Sequence, residues 1–290
     1  MKKLILLFTI ITPFAYSEDW PVFGGLNFNF KSTETGIITN WDNKEPRRLW
    51  SVEVGLGFSS VIEAEGFAFT QGYSNGKNTL FCVQADDGNI IWKADFPCSK
   101  SDNYFKGGSR STPLYYKGDL YLCTHAGDIY CLNAKNGDVK WSFNLEKDFN
   151  GKRPTWGYAA SPVIFGNKLF IVTGAKNASL ISLKPETGEV IWKKGNYEAA
   201  YATPVFNEGA KEILVFHEAG LSVHNIGDGE EKSFYQHKTR YGINAAQPLK
   251  IGQKILLSSA YGKGSAFIDF SSKTPSALWK TDKVASQMAS

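Results

Sequence analysis

The 290-residue chain has few of the residues that usually build metal and redox centres. It contains four cysteines, four histidines and two methionines, and no two cysteines are adjacent. The histidines are scattered and lack a metal-ligand spacing such as His-x-x-x-His. No Gly-x-Ser-x-Gly nucleophile motif occurs. Because these motifs are absent, we predict no catalytic residue and no metal ligand from the sequence.

The chain also lacks a strong charge of one sign. It has 32 basic and 28 acidic residues. These charges are spread over turns, whereas a nucleic-acid surface needs a clustered basic face. The charge pattern therefore argues against a nucleic-acid partner.

Long hydrophobic runs are absent beyond the first residues. Lys2 and Lys3 precede an apolar run at 4–11, and small residues stand at Ala15 and Ser17. This pattern predicts a cleavable secretory signal over residues 1–17, cut between Ser17 and Glu18, because the run is too short to span a bilayer. We expect a periplasmic or secreted protein with no integral membrane segment.

The chain does contain a sequence motif that repeats at a nearly fixed interval. An Asp, Asn or Thr followed by Gly stands four residues before a tryptophan at Trp92, Trp141 and Trp192. Weaker copies of the motif end at Trp50 and Trp279, and Tyr235 stands where the spacing predicts another tryptophan. A period of about 40 to 50 residues with strand-like content indicates a β-propeller, with one blade per repeat.

Each repeat reads as four short strands separated by Gly-containing turns, which predicts an all-β fold. Residues 18–290 form the predicted propeller domain. The five whole blades are expected at about 57–98, 108–147, 157–196, 199–238 and 242–283. Residues 48–54 read as an orphan outer strand, and the last residues as the start of another inner strand, so we expect a C-terminally truncated propeller with partial blades.

The four cysteines leave the disulfide state open. Cys82 and Cys131 take the same position in successive repeats, where the third repeat has Ser182, which favours small-residue packing. Cys123 and Cys131 flank a tight turn and are a candidate disulfide pair in an exported protein. Cys98 has no evident partner in the sequence.

The repeats resemble the pyrroloquinoline-quinone-like (PQQ-like) β-propeller repeat family. The resemblance rests on the inner strands around Pro113, Pro162, Pro204 and Pro248, and on the tryptophan turns. The opening 19–25 is similar to an exported bacterial branch of that family. The resemblance implies a propeller that often has eight blades, and tryptophans that pack each blade on its neighbour.

Two activities are implied by the wider family. Some members are quinoprotein dehydrogenases that use PQQ with calcium, and others bind proteins in outer-membrane assembly without a cofactor. A dehydrogenase needs oxygen ligands for the metal and a carboxylate base. No such acidic cluster stands at the starts of the inner strands, and Asp86-Asp87 lies in a turn. The sequence favours no cofactor, although PQQ with calcium stays an alternative.

A ligand site is expected at the axial mouth, where residues just before each inner strand open onto the channel. The candidates are Phe58, Arg110, Trp156, Tyr158, Tyr201 and Asn244. They supply aromatic rings, one guanidinium and one amide. We therefore predict an exported, non-catalytic scaffold that binds a protein or small ligand at a propeller face. The alternatives are a PQQ-dependent alcohol or sugar dehydrogenase and an outer-membrane protein assembly factor.

Overall fold

The computed structural model describes residues 18–38, 40–42, 45–100 and 106–288. The predicted secretory signal, residues 1–17, lies outside the described residues. Within them the regular secondary structure is almost entirely β-strand, and the predicted all-β class is confirmed. No helix among these residues is long and apolar enough to cross a bilayer.

Twenty described strands form five antiparallel sheets of four, each a meander in chain order. The first sheet holds β1 (Ile62–Ala64), β2 (Phe67–Ser74), β3 (Lys77–Gln84) and β4 (Ile90–Pro97). The second holds β5 (Leu114–Tyr116), β6 (Asp119–Cys123), β7 (Asp128–Asn133) and β8 (Val139–Asn144). The third holds β9 (Val163–Phe165), β10 (Lys168–Ala175), β11 (Ala178–Leu183) and β12 (Val190–Lys194).

The fourth sheet holds β13 (Val205–Asn207), β14 (Glu212–His217), β15 (Gly220–Asn225) and β16 (Glu231–Gln236). The fifth holds β17 (Leu249–Ile251), β18 (Lys254–Ser259), β19 (Gly264–Asp269) and β20 (Ser276–Thr281). One short helix, α1 (Leu145–Phe149), follows β8, and Asn144 caps it by accepting from two backbone N–H groups. A 3-10 turn, Glu208–Ala210, joins β13 to β14.

The core lies between successive sheets, as expected when blades pack face to face. One cluster joins Leu80 of the first sheet to Leu120 and Leu132 of the second. Another joins the second, third and fourth sheets, and a third joins the fourth and fifth. Middle strands such as β6 and β11 are buried along their whole length, so they do not alternate buried and exposed residues.

A tryptophan closes four of the contacts between segments in the same way. The indole Nε1 of Trp92 donates to Ala134 O at 3.0 Å, and that of Trp141 donates to Pro185 O at 2.9 Å. Trp192 donates to Ile226 O at 3.2 Å, and Trp50 donates to Ala85 O at 2.8 Å. We call each of these contacts a tryptophan seam. Each seam joins an indole to the turn before the last strand of the following sheet.

A glycine in the receiving turn makes room for the indole. A Cβ added to Gly137 would lie 2.8 Å from the Trp92 ring, and one added to Gly188 would lie 2.9 Å from the Trp141 ring. Both glycines have positive φ, at 76° and 74°. The Gly-x-x-x-Trp motif therefore repeats because its two ends act in different seams. Its glycine receives the indole of the preceding segment, and its tryptophan contacts the following sheet.

The strand register corrects the expectation for Tyr235. Trp92 pairs with Cys82, Trp141 with Cys131 and Trp192 with Ser182, each just before a β-bulge. In the fourth sheet the residue at this position is Ser233, paired with Val223 before the bulge. Tyr235 lies two residues further along, paired with Leu221. The tryptophan is therefore replaced by serine in this repeat.

Residues 48–54 do not pair with another strand among the described residues. Trp50, Val52 and Val54 instead pack on Ala68, Phe81 and Val83 of the first sheet. Trp50 also makes the seam contact described above. The segment therefore covers the first sheet as an outer strand of a preceding blade would.

All four cysteines are buried free thiols. The candidate pair Cys123 and Cys131 is not bonded, because Cys123 pairs with Ile129 whereas Cys131 pairs with Tyr121. The two thiols are therefore offset by two residues along the hairpin. Cys98, which lacked a partner in the sequence, has its Sγ 3.5 Å from Nε2 of His125.

The segment before the first sheet runs along the inner strands. Trp20 forms a bridge with Glu63 of β1, and Pro21 O accepts from Tyr115 N of β5 at 2.8 Å. The Phe28 ring meets Phe206 of β13 edge-on, with centroids 5.4 Å apart. Gln247, just before β17, donates to Phe28 O at 3.0 Å. We call residues 20–28 the strap. The strap thus contacts the first, second and fourth sheets and the segment that leads into the fifth.

Candidate functional site

The segments that lead into the inner strands surround a cavity of about 370 Å³, which we call the axial cavity. Four of the six predicted mouth residues line it: Phe58, Arg110, Trp156 and Tyr201. The other lining residues are Phe23, Ser60, Thr112, Ala159, Ser161, Thr203, Ile243, Ala245, Tyr261, Gln287 and Met288. The lining therefore combines aromatic rings, small hydroxyl groups and one guanidinium group.

A ladder of hydroxyl groups builds the wall of the axial cavity. Ser60 N donates to Thr112 Oγ1 at 3.1 Å, and Thr112 N donates to Ser161 Oγ at 2.9 Å. Ser161 N then donates to Thr203 Oγ1 at 3.0 Å. These are the hydroxyl residues directly before the inner-strand prolines, or before Val61 in the first blade. These hydroxyl residues thus link the first four blades in order at the cavity wall.

Arg110 is held beside Phe58 by the backbone. Phe58 N donates to Ser109 O at 2.7 Å, and a parallel bridge joins Gly57 to Ser109. The close approach needs Gly108, whose φ is 97° and whose added Cβ would lie 2.4 Å from Leu56 O. The Arg110 Cζ then lies 5.4 Å from the centroid of the Phe58 ring, within cation–π range. The cavity therefore presents a guanidinium backed by an aromatic face.

Trp156 and Tyr201 form a second aromatic group in the lining. Their ring centroids are 5.9 Å apart in an edge-on arrangement, and Trp156 N lies 3.5 Å from Tyr201 Oη. The Trp156 indole Nε1 is buried, and no described residue accepts its hydrogen. Burial raises the pKa of Tyr201 to about 12 despite the opposing charge of Arg110, so its hydroxyl stays protonated at neutral pH. This pair adds an aromatic surface and the protonated Tyr201 hydroxyl to the lining.

Tyr158 and Asn244 do not line the axial cavity. Tyr158 is buried in the core, where its hydroxyl donates to Thr173 O at 3.1 Å. Asn244 is fully buried and donates from Nδ2 to the carbonyl oxygens of His217 and His237 at 2.8 and 3.0 Å. Both side chains complete internal hydrogen bonds of the fold.

Tyr158 and Asn244 lie outside the lining because of a one-residue offset. Arg110 and Tyr201 stand three residues before their inner-strand prolines, whereas Tyr158 and Asn244 stand four residues before theirs. Neighbouring side chains of an extended segment point to opposite sides. The residues at the equivalent positions are Ala159 and Ala245, and both line the cavity.

Sequence reasoning missed several of the residues that close the axial cavity. Phe23 comes from the strap before the first sheet, and Tyr261 from the turn between β18 and β19. Gln287 Nε2 donates to Tyr261 Oη at 2.7 Å, which brings the last described residues to the rim. Phe23 lies in the family-like opening 19–25, but nothing in that resemblance indicated that its ring reaches the cavity.

The lining does not match the requirements of PQQ with calcium. Calcium takes oxygen ligands, usually including carboxylates, and the dehydrogenation needs a base. No Asp or Glu is among the residues that line the axial cavity. Across the described residues, no group of three His, Cys, Asp or Glu side chains is placed to hold a metal ion. The residues present therefore do not fit that cofactor.

A family model described as outer membrane protein assembly factor BamB matches residues 33–149 and 76–289. The chain belongs to this family of PQQ-like β-propeller repeat proteins. The match covers the tryptophan seams and the axial cavity wall. It thus agrees with the resemblance seen in the repeats.

Relatives with different activities are similar to this PQQ-like protein. Outer membrane protein assembly factor BamB of Yersinia pestis is 22% identical over 201 residues, which are 66% of this chain and 47% of the relative. Quinoprotein ethanol dehydrogenase of Pseudomonas putida is 26% identical over 117 residues, 38% of this chain and 18% of the relative. The chain therefore spans less than half the length of either curated relative.

Solved structures show the same fold. The crystal structure of BamB from Moraxella catarrhalis matches with a TM-score of 0.54 at 14% identity, covering 80% of this chain and 62% of that one. Quinohemoprotein alcohol dehydrogenase from Comamonas testosteroni matches with a TM-score of 0.57 at 14% identity, covering 80% and 45%. These likenesses establish the β-propeller and leave the activity to be argued from the site.

Proposed function

We propose that the protein is an exported, non-catalytic β-propeller that binds a partner in the axial cavity. The observation that carries the proposal is the cavity lining. Aromatic rings and Arg110 surround about 370 Å³, and the lining residues include no carboxylate. Apolar pockets with a few polar groups are typical binding sites, and the guanidinium selects an anionic group. We expect a ligand that joins an apolar surface to a negative charge.

An anionic aromatic dye, 8-anilinonaphthalene-1-sulfonate, tests this site directly. The Arg110→Ala variant is expected to bind the dye at least about tenfold more weakly, because the variant loses the cation near the ring site. Arg240→Ala is the matched control, since Arg240 is exposed and lies 5.3 Å from the Tyr241 ring centroid, outside the cavity lining. Equal affinity in the two variants would place dye binding elsewhere and refute the proposal.

A polypeptide partner is favoured over a small metabolite. The matching family model and the Yersinia pestis relative are both described as outer membrane protein assembly factors. We therefore propose that the cavity takes a segment of an envelope protein. A photo-crosslinking residue placed at Phe58 should capture a defined envelope polypeptide in cells that produce the protein naturally. The same residue at Ile90, exposed on the outer strand of the first sheet, should not capture it.

Export is part of the same proposal. The mature chain should begin at Glu18, which N-terminal sequencing of the protein from the envelope fraction would show. Protein retained in the cytoplasm with Met1 intact would contradict it.

A further inference from the structure

The contact between the fourth and fifth sheets lacks the indole that closes the four tryptophan seams. Ser233 pairs with Val223 directly before the β-bulge, and this is the register position of Trp92, Trp141 and Trp192. Gly229, four residues before Ser233, still receives Trp192, with an added Cβ only 2.5 Å from that ring. The fourth repeat therefore keeps the glycine that receives an indole from the third sheet, but it has no tryptophan to contact the fifth sheet.

The fifth sheet keeps the receiving half of a seam. In three of the four closed seams, the residue whose carbonyl accepts the indole N–H also donates its own N–H to an inner turn; the fourth acceptor, Pro185, has no N–H. Ala85 N donates to Gly66 O at 3.0 Å, and Ile226 N donates to Lys211 O at 3.0 Å. Phe270 N donates in the same way to Gln253 O at 3.2 Å. The carbonyl of Phe270 thus stands where Ala85 O and Ile226 O accept an indole.

A cavity of about 190 Å³ lies at this place, and we call it the open seam. Ser233, Gln253 and Phe270 are among its lining residues. Leu214, Val223 and Ile255 add apolar walls, and these three side chains belong to the core between the two sheets. The open seam is therefore an apolar slot beside a carbonyl acceptor, which are the two features that hold each indole elsewhere in the molecule.

The rim of the open seam is basic. Lys232, Lys250 and Lys273 line it together with one carboxylate, Glu212. Lys232 pairs with Glu212 at 3.0 Å, which leaves a positive balance at the rim. Lys250 and Lys273 are exposed. An occupant that places an acidic residue beside its aromatic ring complements this rim.

We propose that the open seam is a docking site for a tryptophan side chain of a partner polypeptide, flanked by acidic residues. The indole would take the position that Trp192 and its equivalents take in the closed seams, with its N–H directed to Phe270 O. The molecule itself supplies the precedent for the ring and the hydrogen bond, and the lysines supply the preference for acidic neighbours. This site is separate from the axial cavity.

The test uses a peptide titration followed by backbone amide NMR of the full chain. The probe is acetyl-Asp-Trp-Asp-amide, and acetyl-Asp-Ala-Asp-amide is the control. We expect saturable shifts for the amides of Ser233, Gln253 and Phe270 with the tryptophan peptide only. Shifts that are equal for the two peptides, or that lie away from the open seam, would overturn the proposal.

Two variants separate docking from a general effect. Ser233→Trp should fill the slot from within, raise the thermal midpoint and weaken peptide binding at least about tenfold. Ser142→Trp, at an exposed position of β8, is the control and should leave binding unchanged. Lys250→Glu keeps the slot and should also weaken binding, which guards against a misfolded Ser233→Trp chain.

A second copy of this chain is the competing occupant. Sedimentation should show the same mass for the native chain and Ser233→Trp at all concentrations. Self-association that disappears in Ser233→Trp would overturn the partner proposal in favour of a homotypic contact.

Discussion

At the scale of single residues, the indole N–H groups explain why the tryptophans repeat. Trp192 is almost fully buried, covers Gly229 and donates to Ile226 O at 3.2 Å. Trp279 has the same register position in the fifth sheet, yet 46% of its surface is exposed. Trp192 is therefore a buried ring with a seam contact, whereas Trp279 is a half-exposed ring without one among the described residues.

Replacing Trp192 by alanine should therefore cost far more than the same change at Trp279. We expect Trp192→Ala to lower the free energy of unfolding by about 3–5 kcal/mol, because it removes a buried ring and leaves Ile226 O without its donor. Trp279→Ala should lower the free energy of unfolding by about 1 kcal/mol, because this ring is half exposed. Urea unfolding measures both, and equal losses would contradict the seam interpretation.

Two buried histidines make the stability depend on acid. The His217 ring stacks on Tyr197 with the centroids 3.7 Å apart, and burial lowers the pKa of His217 to about 3. Burial also lowers the pKa of His237 to about 4, with help from Lys263 and Lys280. Both side chains are neutral in the folded protein, and each takes up a proton on unfolding below its ordinary pKa of about 6.5.

The free energy of unfolding should therefore be highest above about pH 6.5 and fall as the pH drops toward about 4. Each histidine contributes a slope of up to about 1.4 kcal/mol per pH unit in that window. His217→Phe keeps the ring stack but removes the titrating group, so its stability should fall less steeply with acid. Parallel pH profiles for the variant and the native chain would refute this assignment.

At the scale of elements, the hydroxyl ladder joins the inner strands of successive blades. Thr203 accepts from Ser161 N at 3.0 Å and is buried. Thr203→Val preserves the shape but leaves that N–H without its acceptor. We expect a loss of about 1–3 kcal/mol in the free energy of unfolding, measured by urea titration. The exposed turn residue Thr187, which accepts from Glu189 N, is the control and should lose less than about 0.5 kcal/mol as valine.

The sheets were predictable because their signals are local. A glycine four residues before a tryptophan fixes the last turn of a blade, and the Ser/Thr-Pro phrase fixes its inner strand. The replacement of tryptophan by Ser233 needed the bulge register, which shifts the pairing by one residue. The sequence prediction also placed Tyr158 at the cavity, whereas the lining residue is its neighbour Ala159.

The cavity closure was not predictable, because it depends on contacts between distant segments. Phe23 reaches the axial cavity only because the strap binds β1 and β5 through Trp20 and Pro21. Gln287 reaches the rim through Tyr261. No spacing in the chain encodes these contacts.

At the scale of the whole molecule, the thiols report whether the blades stay packed. Burial raises the pKa of Cys82 and of Cys131 to about 12, and it also raises the pKa values of Cys98 and Cys123. Thiols in this state carry little reactive thiolate at neutral pH. The native chain should react very slowly with a thiol reagent, and unfolding without reductant should expose four thiols. Two thiols after unfolding would instead show a disulfide.

We propose that this PQQ-like propeller as a whole binds a partner through its axial cavity without quinone chemistry. The most direct test adds PQQ and calcium to the purified chain and follows both the absorption spectrum of PQQ and the dye-linked oxidation of ethanol. We predict an unchanged PQQ spectrum and no dye reduction, because the axial cavity lining includes no carboxylate to hold calcium or to accept a proton. Stoichiometric PQQ binding with calcium-dependent turnover would contradict the account.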